Sequence, residues 1–201
     1  MKPQATIQKL RHGIPLRWVA LGDSLTYGWM VKKGYLDFLA QEITKTYPGA
    51  QLTFYNRGIP GDTAEGGLRR IGEHVLSMCP DIVSVQFALN DLFVGYTVGQ
   101  FRANILKLIE RIRQCSSCDI LLVTSVALAH PDENDHAQAF YAALMDISQQ
   151  EDIPCALVHK FWERALTSGR RWNELVQADG VHPTEEGYRL MAEAIMDVLN
   201  E

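Results

Sequence analysis

Val19-Ala20-Leu21-Gly22-Asp23-Ser24-Leu25-Thr26-Tyr27-Gly28 is the stretch on which the reading of this chain turns. The apolar run from Trp18 to Leu21 reads as a buried strand, and it stops at a Gly-Asp-Ser turn that leaves Ser24 at the strand's carboxyl end. In an open sheet of parallel strands, ligands bind outside that end. Tripeptides of this kind also occur in ordinary turns, so the weight of this one depends on what the rest of the chain supplies.

Working outward, apolar runs at 17–21, 51–56, 82–88, 120–126 and 155–158 predict five strands. Between and after them, helical spacing of apolar residues predicts helices over 35–47, 63–79, 98–115, 135–151 and 184–199. Pro48-Gly49, Pro80-Asp81 and Pro154 stand where such elements change over, and His130-Pro131-Asp132-Glu133-Asn134 reads as a loop at the rim of the sheet. Strands that are apolar throughout, without in/out alternation, are buried on both faces, so the expected fold class is α/β: a three-layer α/β/α sandwich around a five-stranded parallel sheet. In the closing helix Tyr188, Met191, Ala192, Ile195 and Leu199 recur at helical spacing and are expected to face the sheet.

The chain has 201 residues, which suits one domain over 1–201 with residues 1–16 as an N-terminal extension. Lys and Arg number 19 against 24 Asp and Glu, a formal net charge of −5, and no block of basic residues marks a nucleic-acid or membrane-surface partner. No secretory signal is visible in residues 1–13 and no run approaches a membrane span, so the cytoplasm is the expected compartment, without stable membrane association. Cys79, Cys115, Cys118 and Cys155 fall beside apolar runs, where reduced cysteine behaves as a small hydrophobe. Cys115-Ser116-Ser117-Cys118 has redox or half-zinc spacing, but it has no second Cys/His pair at ligand spacing.

Three later stretches can serve a serine at position 24. Asn56-Arg57-Gly58-Ile59-Pro60-Gly61-Asp62-Thr63 is a glycine-rich turn before a helix, whose backbone N–H groups can point at an anion; alone it is also an ordinary strand-to-helix loop. Ala88-Leu89-Asn90-Asp91 ends an apolar run with a polar pair, either a helix cap or an amide that can donate to an oxyanion. Ala178-Asp179-Gly180-Val181-His182-Pro183-Thr184 sets an aspartate three residues ahead of a histidine on a turn, so that the carboxylate can hold one ring nitrogen while the other faces outward. His12, His74, His130, His136 and His159 have no such partner in sequence and read as surface or structural.

These four stretches, in this order and over roughly residues 18–199, resemble the four blocks of the SGNH/GDSL hydrolase superfamily, closest to its small lysophospholipase-like and thioesterase-like members. Gly22-Asp23-Ser24-Leu25 corresponds to the first block, 56–63 with Gly61 to the second, Asn90-Asp91 to the third and Asp179-Gly180-Val181-His182 to the last; Ala88 stands where the third block usually has glycine. The Gly-x-Ser-x-Gly elbow of α/β-hydrolases is absent around Ser24. The resemblance implies a flavodoxin-like sheet and acyl transfer without metal or cofactor, on a small-molecule ester or thioester such as a lysophospholipid or an acetylated sugar. It implies Ser24 as nucleophile, His182 as its base, Asp179 as the residue orienting the ring, and the backbone N–H groups of Ser24 and Gly61 with the Asn90 amide as an oxyanion hole. Asp23 and Asp91 are expected to bond turn backbone. Leu25, Trp29, Met30 and Val31, with Leu92, Phe93, Val94 and Tyr96, either line an acyl pocket or pack helix starts. Two other readings remain open: a binder of phosphate or flavin at the hydroxyl-rich turn 22–28, and a domain of the same fold without activity. The sequence does not indicate an oligomeric state.

Overall fold

Five strands, β1 (Leu16–Gly22), β2 (Leu52–Gly58), β3 (Ile82–Gln86), β4 (Asp119–Val123) and β5 (Cys155–Ala156), pair in parallel in the order β2-β1-β3-β4-β5. The computed structural model describes residues 1–115 and 117–200, the side chain of Cys115 excepted. The carboxyl ends are level across the sheet: Gly22 is opposite Gly58 and Gln86, Gln86 opposite Val123, and Val123 opposite Ala156. The chain runs from β1 to one side for β2 and to the other side for β3. The residues just after β1 therefore lie at the point where strand order reverses, the crevice in which doubly wound sheets bind ligands.

Helices cover both faces. On one side α3 (Tyr35–Thr46) packs on α10 (Glu185–Leu199), which packs in turn on α8 (Val158–Thr167); on the other α4 (Ala64–His74), α6 (Val98–Cys115) and α7 (Pro131–Glu151) pack in series. Burial on both faces explains why every residue of β3 is buried. Trp18 is fully buried and satisfies its indole by donating to Ser84 Oγ on the neighbouring strand at 2.9 Å. Tyr188, Met191, Ala192, Ile195 and Leu199 are all buried on the inner face of α10.

The structure departs from the sequence reading in several places. Residues 4–11 form a helix, α1 (Gln4–Arg11), with Thr6, Ile7 and Leu10 buried and the Thr6 N–H bound to Asp119 Oδ2 at 2.7 Å, so the extension is docked on the sheet. The 130–134 stretch is not a loop: Pro131 starts α7, because proline suits the first helical position and Asp132 and Glu133 complement the positive end of the helix. The 63–79 helix stops at His74 and gives way to a 3-10 turn at Leu76–Met78. Strand β5 has only two residues, since Val158 already begins α8. Four helices, α2 (Ser24–Tyr27), α5 (Leu89–Phe93), α8 and α9 (Trp172–Leu175), fall where the sequence reading has none. The pairing considered for Cys115 with Cys118 lies outside the described residues. Among the described residues no helix is long and apolar enough to cross a membrane.

Candidate active site

Ser24 opens α2 (Ser24–Tyr27), with only Asp23 between it and the end of β1, and is buried. The turn that presents it is held from three sides. Asp23 caps α2, its Oδ1 accepting the Leu25 N–H at 2.9 Å. The Asn56 side chain donates to the Thr26 carbonyl at 2.9 Å. Tyr188 reaches across from α10, where its hydroxyl accepts the Trp29 N–H at 3.0 Å and donates to the Ser24 carbonyl at 3.5 Å.

Asp179 and His182 sit on the loop leading into α10, closed by an antiparallel bridge between Val176 and Pro183. One carboxylate oxygen, Asp179 Oδ1, accepts the N–H groups of Val181 at 3.0 Å and His182 at 2.9 Å, which leaves Oδ2 to meet His182 Nδ1 at 2.7 Å. Gln177 joins this loop to the chain after Ser24 by donating to both the Trp29 and Pro183 carbonyls, at 3.0 and 2.7 Å. The Trp29 ring lies beside the imidazole, 5.9 Å between centroids. Held this way, His182 Nε2 is 2.9 Å from Ser24 Oγ across 158 residues of sequence. Partial burial works against the Asp179 charge, but the bonds from Val181 and His182 outweigh it and hold the carboxyl below its ordinary range. An ionised carboxylate only accepts, so the imidazole proton belongs on Nδ1 and Nε2 is left as an acceptor facing the serine.

Asn90 stands on α5, and one of its amide hydrogens goes to the Asp62 carbonyl at 2.9 Å, leaving the second available. Ala88, before it, takes φ 159° and ψ −48°, backbone angles usual for glycine. Gly61 lies in the turn 58–63 with φ 79°; neither its N–H nor that of Ser24 donates to an acceptor among the described residues. Ser24, Asn90, Asp179 and His182 all line one cavity of about 180 Å3, whose apolar wall is Leu25, Leu89, Phe93 and Val181. Gly61 does not line it. Met30 and Val94 point to solvent instead, and Tyr96 donates to Glu65 Oε2 at 2.5 Å, away from the cavity. Among the described residues no three His, Cys, Asp or Glu side chains converge as a cation cage.

Two more carboxylates are buried beside the site, Asp23, which also lines the cavity, and Asp91. Burial pushes Asp23 up to about 7 against its bonds from Leu25 and Gln86, and burial likewise raises Asp91 to about 7 although both its oxygens accept the Ala64 N–H, at 3.1 and 3.2 Å. Both therefore bond turn backbone. His159 is buried against Thr124 Oγ1, 2.8 Å from its Nδ1, and burial lowers it to about 4. Gln177 and the Tyr188 hydroxyl escaped the sequence reading as parts of this site, and Trp29, expected to line an acyl pocket or pack a helix start, lies beside the His182 ring instead. The helical spacing of Tyr188 marked its burial, but nothing local marked what its hydroxyl would meet.

Residues 20–190 match the model of the GDSL-like Lipase/Acylhydrolase family, which is most of the chain. The chain belongs to that family. Like its GDSL relatives, it is a carboxylic ester hydrolase of the serine type, acting on small-molecule esters. It is 24% identical over 183 residues to a protein of Vibrio mimicus named arylesterase, covering 90% of this chain and 86% of that one. Its fold is that of the acetylxylan esterase Axe2 from Geobacillus stearothermophilus (TM-score 0.82, 18% identity, 92% of this chain and 94% of that one). It is equally that of LAE5, described as an alpha/beta hydrolase enzyme from the metagenome of Lake Arreo (TM-score 0.80, 18% identity, 92% and 97% covered).

Proposed function

We propose that this GDSL hydrolase cleaves short-chain carboxylic esters through an acyl-enzyme formed on Ser24. The observation that carries the reading is the continuous relay of Ser24 Oγ, His182 and Asp179, with contacts of 2.9 and 2.7 Å. Nε2 takes the hydroxyl proton as Oγ bonds to the ester carbonyl carbon. The imidazolium then returns that proton to the departing alcohol as the carbon–oxygen bond breaks. Water repeats the sequence to release the acid. Asp179 keeps the proton on Nδ1 and stabilises the imidazolium. The Ser24 N–H and the free Asn90 amide hydrogen, on residues that line the cavity, hold the oxyanion of the tetrahedral intermediate, and the Gly61 N–H, next to the Asp62 carbonyl that fixes Asn90, is the third donor the family resemblance implies.

Substrate size follows from the cavity. Its volume of about 180 Å3 is close to the roughly 150 Å3 that admits benzene in a protein core. Its wall of Leu25, Leu89, Phe93 and Val181 suits hydrocarbon. An acetyl to hexanoyl group fits such a space, and a longer chain would have to leave it. The same site can act on a thioester, because the attacked carbonyl and the relay are unchanged.

Ser24→Ala and His182→Ala are each expected to lower kcat for p-nitrophenyl acetate by about 10⁴-fold or more with the fold intact, and only the wild type is expected to label with a fluorophosphonate. Turnover retained in either folded variant would reject the assignment. Across p-nitrophenyl esters from acetate to decanoate, kcat/KM is expected to peak at or below hexanoate. A steady rise to decanoate would dispose of the cavity argument while leaving the relay untouched.

A further inference from the structure

The Arg70 guanidinium, on α4, does not line the cavity but touches both stretches that carry the backbone oxyanion donors, the end of β1 before Ser24 and the 57–62 turn around Gly61. Its Nε and Nη2 each lie 2.7 Å from Asp62 Oδ2, its Nη1 donates to the Arg57 carbonyl at 2.8 Å, and its Nη2 also donates to the Gly22 carbonyl at 3.0 Å. Gly22 ends the strand that delivers Ser24, Arg57 lies near the end of β2, and Asp62 follows Gly61. The Gly22 carbonyl accepts the Ile59 N–H as well, at 3.0 Å, so the two turns meet at one oxygen. The Asp62 carbonyl, in turn, fixes the Asn90 amide. Gly66 leaves room for this arrangement, since a Cβ there would fall 1.7 Å from Asp62 Oδ1.

We propose that Arg70, clamped on Asp62, Arg57 and Gly22, is a positioning residue that sets the spacing between the Ser24 turn and the Gly61–Asn90 side of the oxyanion hole. The inference rests on the acyl-enzyme reading above. The pair is largely buried, with side chains only 11% and 14% exposed, and ion pairs taken out of water contribute little net stability compared with apolar residues of the same volume. What it does supply is geometry: a planar fork that ties both ends of the 57–62 turn, at the Arg57 carbonyl and the Asp62 carboxylate, to the Gly22 carbonyl at the end of β1. An error of a fraction of an ångström between donors matters most in the transition state, where the oxyanion is fully formed, and little in the bound ester.

The test compares wild type, Arg70→Met and Arg70→Lys, with active sites counted by fluorophosphonate titration so that misfolded protein does not enter kcat. For p-nitrophenyl acetate, Arg70→Met is expected to lose about 10–10²-fold in kcat per titrated site, below the 10²–10³-fold of removing a donor outright, with KM within about threefold. The inhibition constant of phenylboronic acid, which adds to Ser24 Oγ as a tetrahedral anion, is expected to rise in parallel. Arg70→Lys keeps the charge but not the fork, and is expected to lose at least about fivefold in kcat. Should Arg70→Met fail to fold, the lysine variant carries the test alone. Per-site kcat within twofold of wild type in a folded variant, or a boronate affinity that does not follow kcat, overturns the clamp. Activity retained in Ser24→Ala would instead reject the acyl-enzyme reading beneath it.

Discussion

Asp179 divides its two oxygens, one to the backbone of its own turn and one to the imidazole. Asp179→Asn keeps an oxygen for the Val181 and His182 N–H groups but turns an amide N–H toward Nδ1, which moves the ring proton to Nε2, where it faces the serine hydroxyl. The variant is expected to melt like wild type and to lose about 10²–10⁴-fold in kcat, as wrong-tautomer variants of such triads do. A loss smaller than tenfold would show that the carboxylate does little beyond shaping the turn. Gly58 makes the converse point: its φ is ordinary, yet a Cβ there would lie 2.2 Å from the Tyr27 N and 2.7 Å from the Asp23 carbonyl oxygen. Both neighbours are backbone of the Ser24 turn, so relief means moving the nucleophile. Gly58→Ala is expected to cost about 1–3 kcal/mol of stability and to lower kcat as well, read by melting and by turnover on p-nitrophenyl acetate.

At the scale of elements, α10 does two jobs with opposite ends of one physical pattern. Its apolar face, including Tyr188, is buried, and its amino terminus anchors the His182 loop. Thr184 is the hinge between them: its Oγ1 accepts the Gly187 N–H at 3.2 Å as the helix cap and donates to the Glu174 carbonyl at 2.6 Å, while its own N–H bonds to Leu175. Thr184→Ala removes the cap and leaves a carbonyl short of a donor, for about 1–2 kcal/mol, or a melting temperature lower by roughly 2–8 °C at this chain length. Thr184→Ser retains both bonds and is expected to restore most of it; equal melting of the two variants would remove the cap from the argument.

For the whole molecule, the buried ionisable groups set how stability varies with pH. Asp23 and Asp91 titrate near 7 in the folded chain, against about 3.9 when exposed. Folded protein thus keeps two protons that the unfolded chain releases, and the stability they contribute is present below about pH 4 and lost as pH rises through 7. His159 acts in the other direction, since its folded value of about 4 lies below the usual 6.5 or so, which penalises folding as pH falls from 6.5 toward 4. Two protons against one leave a net loss of stability with rising pH between about 4.5 and 6.5, and Asp23 and Asp91 alone extend it to about 7. Asp81 and Asp179, held below their ordinary range, act at lower pH than this window. The urea midpoint is expected to be higher at pH 5.5 than at pH 8; the reverse order would mean that Asp23 and Asp91 stay ionised in the fold.

The sequence by itself determined what is local or periodic. Continuous apolar runs announced strands buried on both faces, helical spacing gave the inner face of α10, and Asp179-Gly180-Val181-His182 contained its own short-range reason for a carboxylate to meet a ring nitrogen. It misjudged residues 130–134 because proline and acidic residues mark a helix start as readily as a loop, and it left residues 4–11 without a helix because their apolar side chains find a partner only on the sheet. Tertiary structure alone decided the rest. Ser24 and His182 meet because strand order reverses at β1 and α10 returns beside it, and Arg70 ties the 57–62 turn to the end of β1, a contact that no spacing announces. Such contacts depend on how strands are ordered in space, and the periodicity of a chain records which way a residue faces without recording which distant residue it will face.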